Sequence, residues 1–165
     1  MSDIKTSFVY IISGAVNSGK TTKLRAIYDE IHQGDGFVLK KVYKAGCYIG
    51  QQLERLSNQK RVPFSYKRTF LPPNWDEVYM YHDYSFSKQG LEFAYKIAVE
   101  MIEKKIDPVF IDEIGPLELM GLGFADLFRQ LLQTKKVIYV TVRDNCVLSV
   151  IDRFKIKEYS FIKVN

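Results

Sequence analysis

The sequence predicts an α/β protein with a mainly parallel sheet and an antiparallel strand insertion over about residues 37–66. Three observations carry that expectation. An apolar run, Phe8–Ile12, leads through a glycine-containing loop into a segment with helical spacing. A second short apolar strand, Val109–Ile111, ends in two acids, and a β-branched run, Val137–Val142, forms a third. Between the first helix and Leu71, three extended stretches separated by tight turns replace the strand–helix alternation.

Each element has a local cause. The spacing of Leu24, Ile27, Tyr28 and Ile31 predicts a helix over 20–32. Gln33-Gly34-Asp35-Gly36 ends it, with glycine available as the left-handed cap. Strands at 37–44 and 47–53 flank the turn Lys44-Ala45-Gly46, and a strand at 61–66 follows the turn at 57–60. Leu71-Pro72-Pro73-Asn74 is a loop, because consecutive prolines break helix and strand alike. The aromatic stretch 78–86 reads as a strand leading into a loop; its aromatics either stack on a base or take the commoner role of core and edge packing, and His82 is either catalytic or, as a lone histidine more often is, structural.

Ser87 is placed to cap a helix whose core stripe is Leu91, Ala94, Tyr95, Ala98, Met101 and Ile102. Ile106-Asp107-Pro108 ends that helix, and 115–123 reads as a loop beyond the acidic strand end. Phe124, Leu127, Phe128, Leu131 and Leu132 mark another helix, followed by the 137–142 strand, a short helix at 145–154 and a strand at 159–164. No repeat or linker interrupts the chain, so residues 1–165 are expected to form one domain.

Composition narrows the class. Hydrophobic residues make up 47% and charged residues 26%, the balance of a globular protein with a core. No 18-residue apolar run exists, and Met1-Ser2-Asp3-Ile4-Lys5 lacks a signal-peptide layout, so neither membrane nor export is expected. Cys47 and Cys146 have no metal-type spacing and read as free thiols in a reducing, cytoplasmic setting. The net charge of +5 is concentrated: Lys40, Lys41, Lys44, Arg55, Lys60, Arg61, Lys67 and Arg68 face one acid, Glu54. That block suits either a nucleic acid or the solvated face of strands. The second reading is preferred, since no nucleic-acid-binding signature accompanies the charge.

The chemistry lies in Gly14-Ala15-Val16-Asn17-Ser18-Gly19-Lys20-Thr21-Thr22, which satisfies the phosphate-loop pattern between a strand and a helix. Glycines let backbone amides approach phosphate oxygens, and the following helix offers unpaired N–H groups and its positive dipole end. Lys20 supplies a point charge for the β- and γ-phosphates and is expected to face solvent in the empty loop. Thr21 is a ligand for Mg2+. Asp112, at the end of the second strand, is its metal-holding partner, and Glu113 is the candidate base for an attacking water. Glu118 is either a second acid of the site or an exposed loop carboxylate. Arg143, at the end of the 137–142 strand, either forks onto phosphate oxygens or pairs locally with Asp144.

These residues also resemble a family. The run Gly14–Thr22, the phrase Asp112-Glu113-Ile114-Gly115-Pro116-Leu117-Glu118-Leu119, the Gly36-Phe37 strand with Gly46 and Ile49-Gly50, and Phe86-Ser87, Gly90-Leu91 and Phe93-Ala94 are similar to the small nucleoside-triphosphatases first described from thermophiles. The resemblance implies a three-layer α/β/α phosphate-loop NTPase fold of the additional-strand type. It also implies Mg2+-dependent hydrolysis of nucleoside triphosphates, ATP and/or GTP, to diphosphate and phosphate. Pro116-Leu117 and the polar loop 71–76 depart from the pattern and bear on substrate range. Two alternatives stay open: a small-molecule phosphate-loop kinase, and a nucleotide-dependent nucleic-acid-binding module using the 40–68 block. Oligomeric state is not readable.

Overall fold

Residues 6–165 are described by the computed structural model; the expectation for Met1–Lys5 lies outside them. The strands are β1 (Phe8–Gly14), β2 (Asp35–Lys44), β3 (Cys47–Arg55), β4 (Arg61–Lys67), β5 (Glu77–Tyr81), β6 (Tyr84–Ser87), β7 (Val109–Ile111), β8 (Val137–Arg143) and β9 (Glu158–Lys163). The helices are α1 (Lys20–Ile31), α2 (Lys88–Glu103), α3 (Pro116–Leu119), α4 (Ala125–Leu132) and α5 (Val147–Arg153). All nine strands form one sheet in the order β5-β6-β4-β3-β2-β7-β8-β1-β9.

The sheet has two halves that meet at β2. From β2 through β7, β8 and β1 to β9 every pairing is parallel. From β2 through β3, β4 and β6 to β5 every pairing is antiparallel. The antiparallel part therefore reaches Ser87 rather than stopping near residue 66. The stretch expected to be one strand and a loop is a hairpin: β5 and β6 pair Tyr81 with Tyr84 across a His82-Asp83 turn. His82 takes a left-handed φ of 51°, which the sequence pattern did not mark.

The layers follow from strand alternation. On one face, Ile12, Val38 and Phe110 pack with Leu24 of α1 and with Leu56. On the other, Val9, Ile11, Phe37, Ile111 and Val140 pack under α2, α4 and α5 through Ala94, Ile97, Met101, Leu127, Phe128 and Val150. The result is the expected α/β/α arrangement.

Local expectations hold with two corrections. Ala45 and Gly46 both adopt positive φ, the geometry a two-residue hairpin turn needs. Ser87 Oγ accepts from Gly90 N at 2.9 Å and caps α2. The left-handed cap of α1, however, is His32 (φ 55°), whose N–H reaches Tyr28 O, so the glycines that follow serve other turns. The 115–123 loop contains a helical turn, α3, because Pro116 begins it with a preset φ and the Glu118 carboxyl faces Gly115 N at 3.5 Å.

The basic block is partly neutralised. Arg61 and Arg25 both pair with buried Glu54. Arg55 bridges Asp35 at 2.8 Å and Glu100 at 2.7 Å. Asp35, 2% exposed, also accepts from Gly36 N, Ser57 N and Ser57 Oγ, so it fixes the junction where the two halves of the sheet meet. Removing one partner of such a pair strands the other charge in a low-dielectric setting. Asp35→Ala is expected to cost about 3–5 kcal/mol, read as a lowered urea midpoint at unchanged slope.

Candidate functional site

The carboxyl ends of β1, β7 and β8 face one open cleft of about 930 Å³. Parallel pairing is what brings them level, since ligands in such sheets lie beyond the strand ends. Gly14 is opposite Arg143 in the β1–β8 register, and Ile111 opposite Val140, so three sequence-distant segments emerge side by side.

The loop after β1 is tightly wound. A Cβ on Gly14 would lie 2.9 Å from Val164 O and against Ser18 Oγ, so only glycine fits. Asn17 and Gly19 take positive φ values of 59° and 94°. Ser18 N donates to Ala15 O at 3.2 Å, and Lys23 N to Gly19 O at 2.9 Å as α1 begins. The Ser18 hydroxyl is buried without a hydrogen-bond partner among the described residues.

Lys20 does not face solvent. It is 9% exposed, and its Nζ folds back to donate to Ala15 O at 2.6 Å. The overturned expectation ignored that the loop's own carbonyls provide an acceptor within reach. Burial pulls the Lys20 pKa below its ordinary value, opposed by the charges of Glu113 and Asp112.

Asp112 is the most constrained acid. It is 2% exposed, and its carboxylate accepts from Thr21 Oγ1 at 2.8 Å, Thr141 Oγ1 at 2.6 Å and Leu39 N at 3.0 Å. Burial pushes its pKa up, while the bonds from Thr141, Leu39 and Thr21 act the other way. Thr21 and Asp112 are the residues that could hold a divalent cation. Both present oxygen only, and no group of three or more His, Cys, Asp or Glu stands near them among the described residues. That donor set suits a hard cation that keeps water and phosphate oxygens as its other ligands.

Glu113 and Arg143 meet. Arg143 Nε donates to Glu113 Oε1 at 3.2 Å, both side chains being partly exposed. The surface pair with Asp144 expected as one reading is replaced by this one: the Arg143 partner is Glu113. The β7–β8 pairing brings it there, and pairing register is not readable from one sequence.

Glu118 lines the same cleft but is not an exposed loop carboxylate. It is 4% exposed, beneath Gly115, Gly123 and Phe124. Burial, with a smaller contribution from the charge of Glu113, pushes its pKa up to about 8. Tyr79, whose hydroxyl accepts from Gly123 N at 2.8 Å, closes the far side of that segment.

Thr141, Leu39 N and Tyr48 belong to the cleft and were missed, whereas Tyr84, which also lines it, falls in the aromatic stretch weighed for base stacking. Thr141 sits inside a β-branched run, where threonine reads as a strand former, and only its register opposite Ile12 hints otherwise.

Burial of Glu118 has a pH consequence. A carboxyl whose folded pKa is about 8 keeps its proton in the folded state between roughly pH 5 and 8 while the unfolded chain has lost it. Its contribution to stability therefore falls as pH rises through that window. Urea unfolding at several pH values should show this decline in the wild type and a flatter profile in Glu118→Gln, which is neutral throughout.

Comparison with known proteins agrees with this geometry. A family model described as NTPase matches residues 9–165. Nucleoside-triphosphatase THEP1 from Thermotoga sp. (strain RQ2) is 24% identical over 133 residues, covering 81% of this chain and 72% of the relative. The Thermotoga maritima THEP1 is 23% identical with the same coverage. Among solved structures, THEP1 from the hyperthermophile Aquifex aeolicus superposes with a TM-score of 0.73 at 22% identity, over 95% of this chain and 90% of its own. A human cancer-related nucleoside triphosphatase does so with a TM-score of 0.66 at 22% identity, over 96% of this chain and 89% of its own. With the family model spanning all but the first eight residues and the phosphate loop and acidic strand end meeting in one cleft, the chain belongs to the NTPase family.

Proposed function

We propose that the protein is a Mg2+-dependent nucleoside-triphosphatase that converts ATP and/or GTP to the diphosphate and phosphate, acting as one domain in the cytoplasm. The observation that carries this reading is the 2.8 Å hydrogen bond from Thr21 Oγ1 to Asp112 Oδ2, which joins the phosphate loop to the acidic strand end. The names of the relatives support the reaction class. The unbroken sheet supports the single domain. The free Cys47 and Cys146 support the compartment, and no helix among the described residues is long and apolar enough to cross a membrane.

Catalysis would be positional and electrostatic. Amides of residues 15–22 and the Ser18 hydroxyl offer donors to phosphate oxygens. The Lys20 ammonium exchanges Ala15 O for the β- and γ-phosphates. Magnesium, when bound, supplies charge neutralisation on the phosphates, with Thr21 and Asp112 as its protein ligands. Glu113 accepts the proton of the attacking water. Arg143 holds that carboxylate by the Nε contact and has further N–H groups free for the phosphoryl oxygens.

Three substitutions test these roles. Lys20→Ala should weaken nucleotide binding by about 1.5–3 kcal/mol while circular dichroism stays native; affinity equal to wild type by calorimetry would refute the phosphate-loop role. Glu113→Gln should keep Mg2+–nucleotide affinity and slow phosphate release by roughly 10²–10⁴-fold. Arg143→Ala should slow turnover by about tenfold or more, the worth of one charge-assisted contact. In the Glu113→Gln background the same change should cost less, because the two residues act as a unit.

A further inference from the structure

The cleft does not end at the acids. Beyond Glu113 it continues between the antiparallel strands and the Gly115–Phe124 segment, where Tyr48, Tyr84, Gln51, Ser65 and Glu118 line it. At about 930 Å³ its volume is near the upper end of the roughly 300–1,000 Å³ range of ligand clefts. Only one side of it is phosphate loop.

The strand order settles which side the remainder occupies. β1 carries the phosphate loop, β7 carries Asp112 and Glu113, and β2 and β3 come after β7. The acids therefore stand between the loop and the antiparallel wall. In an in-line displacement the attacking group enters opposite the leaving diphosphate. A triphosphate seated on Lys20 with Glu113 at its terminal phosphoryl leaves this wall on the attacking side. The triphosphate's own base, attached at the other end of the phosphate chain, lies away from it.

The lining is suited to a flat heterocycle. Tyr48 has its ring 6.0 Å from that of Tyr84 and 5.9 Å from that of Tyr43. Tyr48 and Tyr84 are half-buried and tilted against each other near two hairpin turns, so a flat ring can lie against a face that either presents to the cleft. Between the strands, Ser65 Oγ lies 3.5 Å from Gln51 Oε1, a long contact that leaves the amide and the hydroxyl with unused bonding capacity. Glu118 adds a buried carboxyl, held protonated at neutral pH, that both donates and accepts. Lys40, half-buried at the mouth, supplies positive charge for a phosphate.

We propose that this half of the cleft is a second ligand subsite that takes a nucleoside, with or without a 5′-phosphate, on the attacking side of the terminal phosphoryl group of a bound triphosphate. It rests on the nucleoside-triphosphatase reading for the placement of that phosphoryl group. A ligand here occupies the approach of the attacking water and thereby governs phosphate release.

Equilibrium dialysis tests it, with the full chain and labelled adenosine, guanosine, cytidine and uridine and their 5′-monophosphates. Each is measured with and without a saturating, non-hydrolysable triphosphate analogue and Mg2+. At least one ligand should bind with a Kd below about 1 mM and stay bound when the analogue saturates the loop. Tyr84→Ala should lower that affinity about tenfold or more, equivalent to the roughly 1–3 kcal/mol of one base–aromatic stack. Gln51→Ala offers a second variant should Tyr84→Ala misfold. Lys20→Ala should lose the triphosphate and keep the nucleoside. Absence of binding at about ten times that concentration, displacement by the analogue, or full affinity in both Tyr84→Ala and Gln51→Ala would each overturn the subsite. Phosphate release without any nucleoside separately tests the hydrolase reading, so the two can fail independently.

Discussion

The Asp112 carboxylate is the constraint on which the site's geometry depends. Its three donors come from three places: Thr21 from the start of α1, Thr141 from β8 and Leu39 from β2. A carboxylate taken out of water is costly unless its lone pairs are met, and here they are met by bonds of 2.6–3.0 Å. Each bond to a charged group contributes about 1.5–3 kcal/mol. The same bonds hold the phosphate loop level with the acidic strand end. Desolvation still outweighs them, since the pKa of Asp112 remains raised. A cation at this point would relieve that residual cost, which is a physical reason for the site to want one.

Parallel pairing on one side of β2 and antiparallel pairing on the other decide what surrounds that anchor. Because β2 runs with β7, its end at Lys44 reaches the same edge as Asp112. Reversal at Ala45-Gly46 starts β3 at that edge, and two further reversals bring the end of β4 and the start of β6 back to it. Both hairpin tips, 45–46 and 82–83, therefore project from that edge, and along β2 Lys41 Nζ reaches Asn17 Oδ1 of the loop. The parallel half supplies the glycine-containing loop and the two acids, whereas the antiparallel half supplies an aromatic wall.

How much of this was legible follows from how local each signal is. The phosphate loop and the Asp112-Glu113 strand end are short, contiguous patterns with a required strand before them, so sequence located them and one cleft unites them. What escaped depends on register or on competition between partners. Arg143 meets Glu113 because β8 lies between β1 and β7, an order that no single stretch encodes. Thr141 looks like any strand threonine until the strands are aligned. Lys20 was expected outward because that expectation left out the nearby Ala15 carbonyl, which accepts from its ammonium. Glu118 looked loop-like because Gly115 and Gly123 flank it, yet Gly123 is what lets the backbone close over its carboxyl. The hairpin at 77–87 was hidden by aromatics without regular alternation and by a histidine at the positive φ that glycine or asparagine usually marks.

Three ionisable groups of the cleft are disfavoured by burial in the same sense. Lys20 is held below its ordinary pKa by burial, Asp112 above its own, and Glu118 keeps a proton that a solvated glutamate would lose. None of these groups is where water alone would leave it. An anion over the loop would stabilise the Lys20 ammonium, and a cation at Thr21 would stabilise the Asp112 carboxylate. Ligand binding would therefore recover energy that the empty fold spends on desolvation. By mass action a ligand that binds only the folded state raises stability as its concentration exceeds its Kd. The cost is electrostatic, and these three groups that bear it line the cleft at the carboxyl edge. The cores on either face of the sheet, Phe37, Ile97 and Phe128 on one side and Leu24 and Phe110 on the other, are fully buried and carry no charge. A site held at a cost therefore rests on layers that have none, and those layers let the edge remain poised for highly charged ligands without loosening the sheet beneath it.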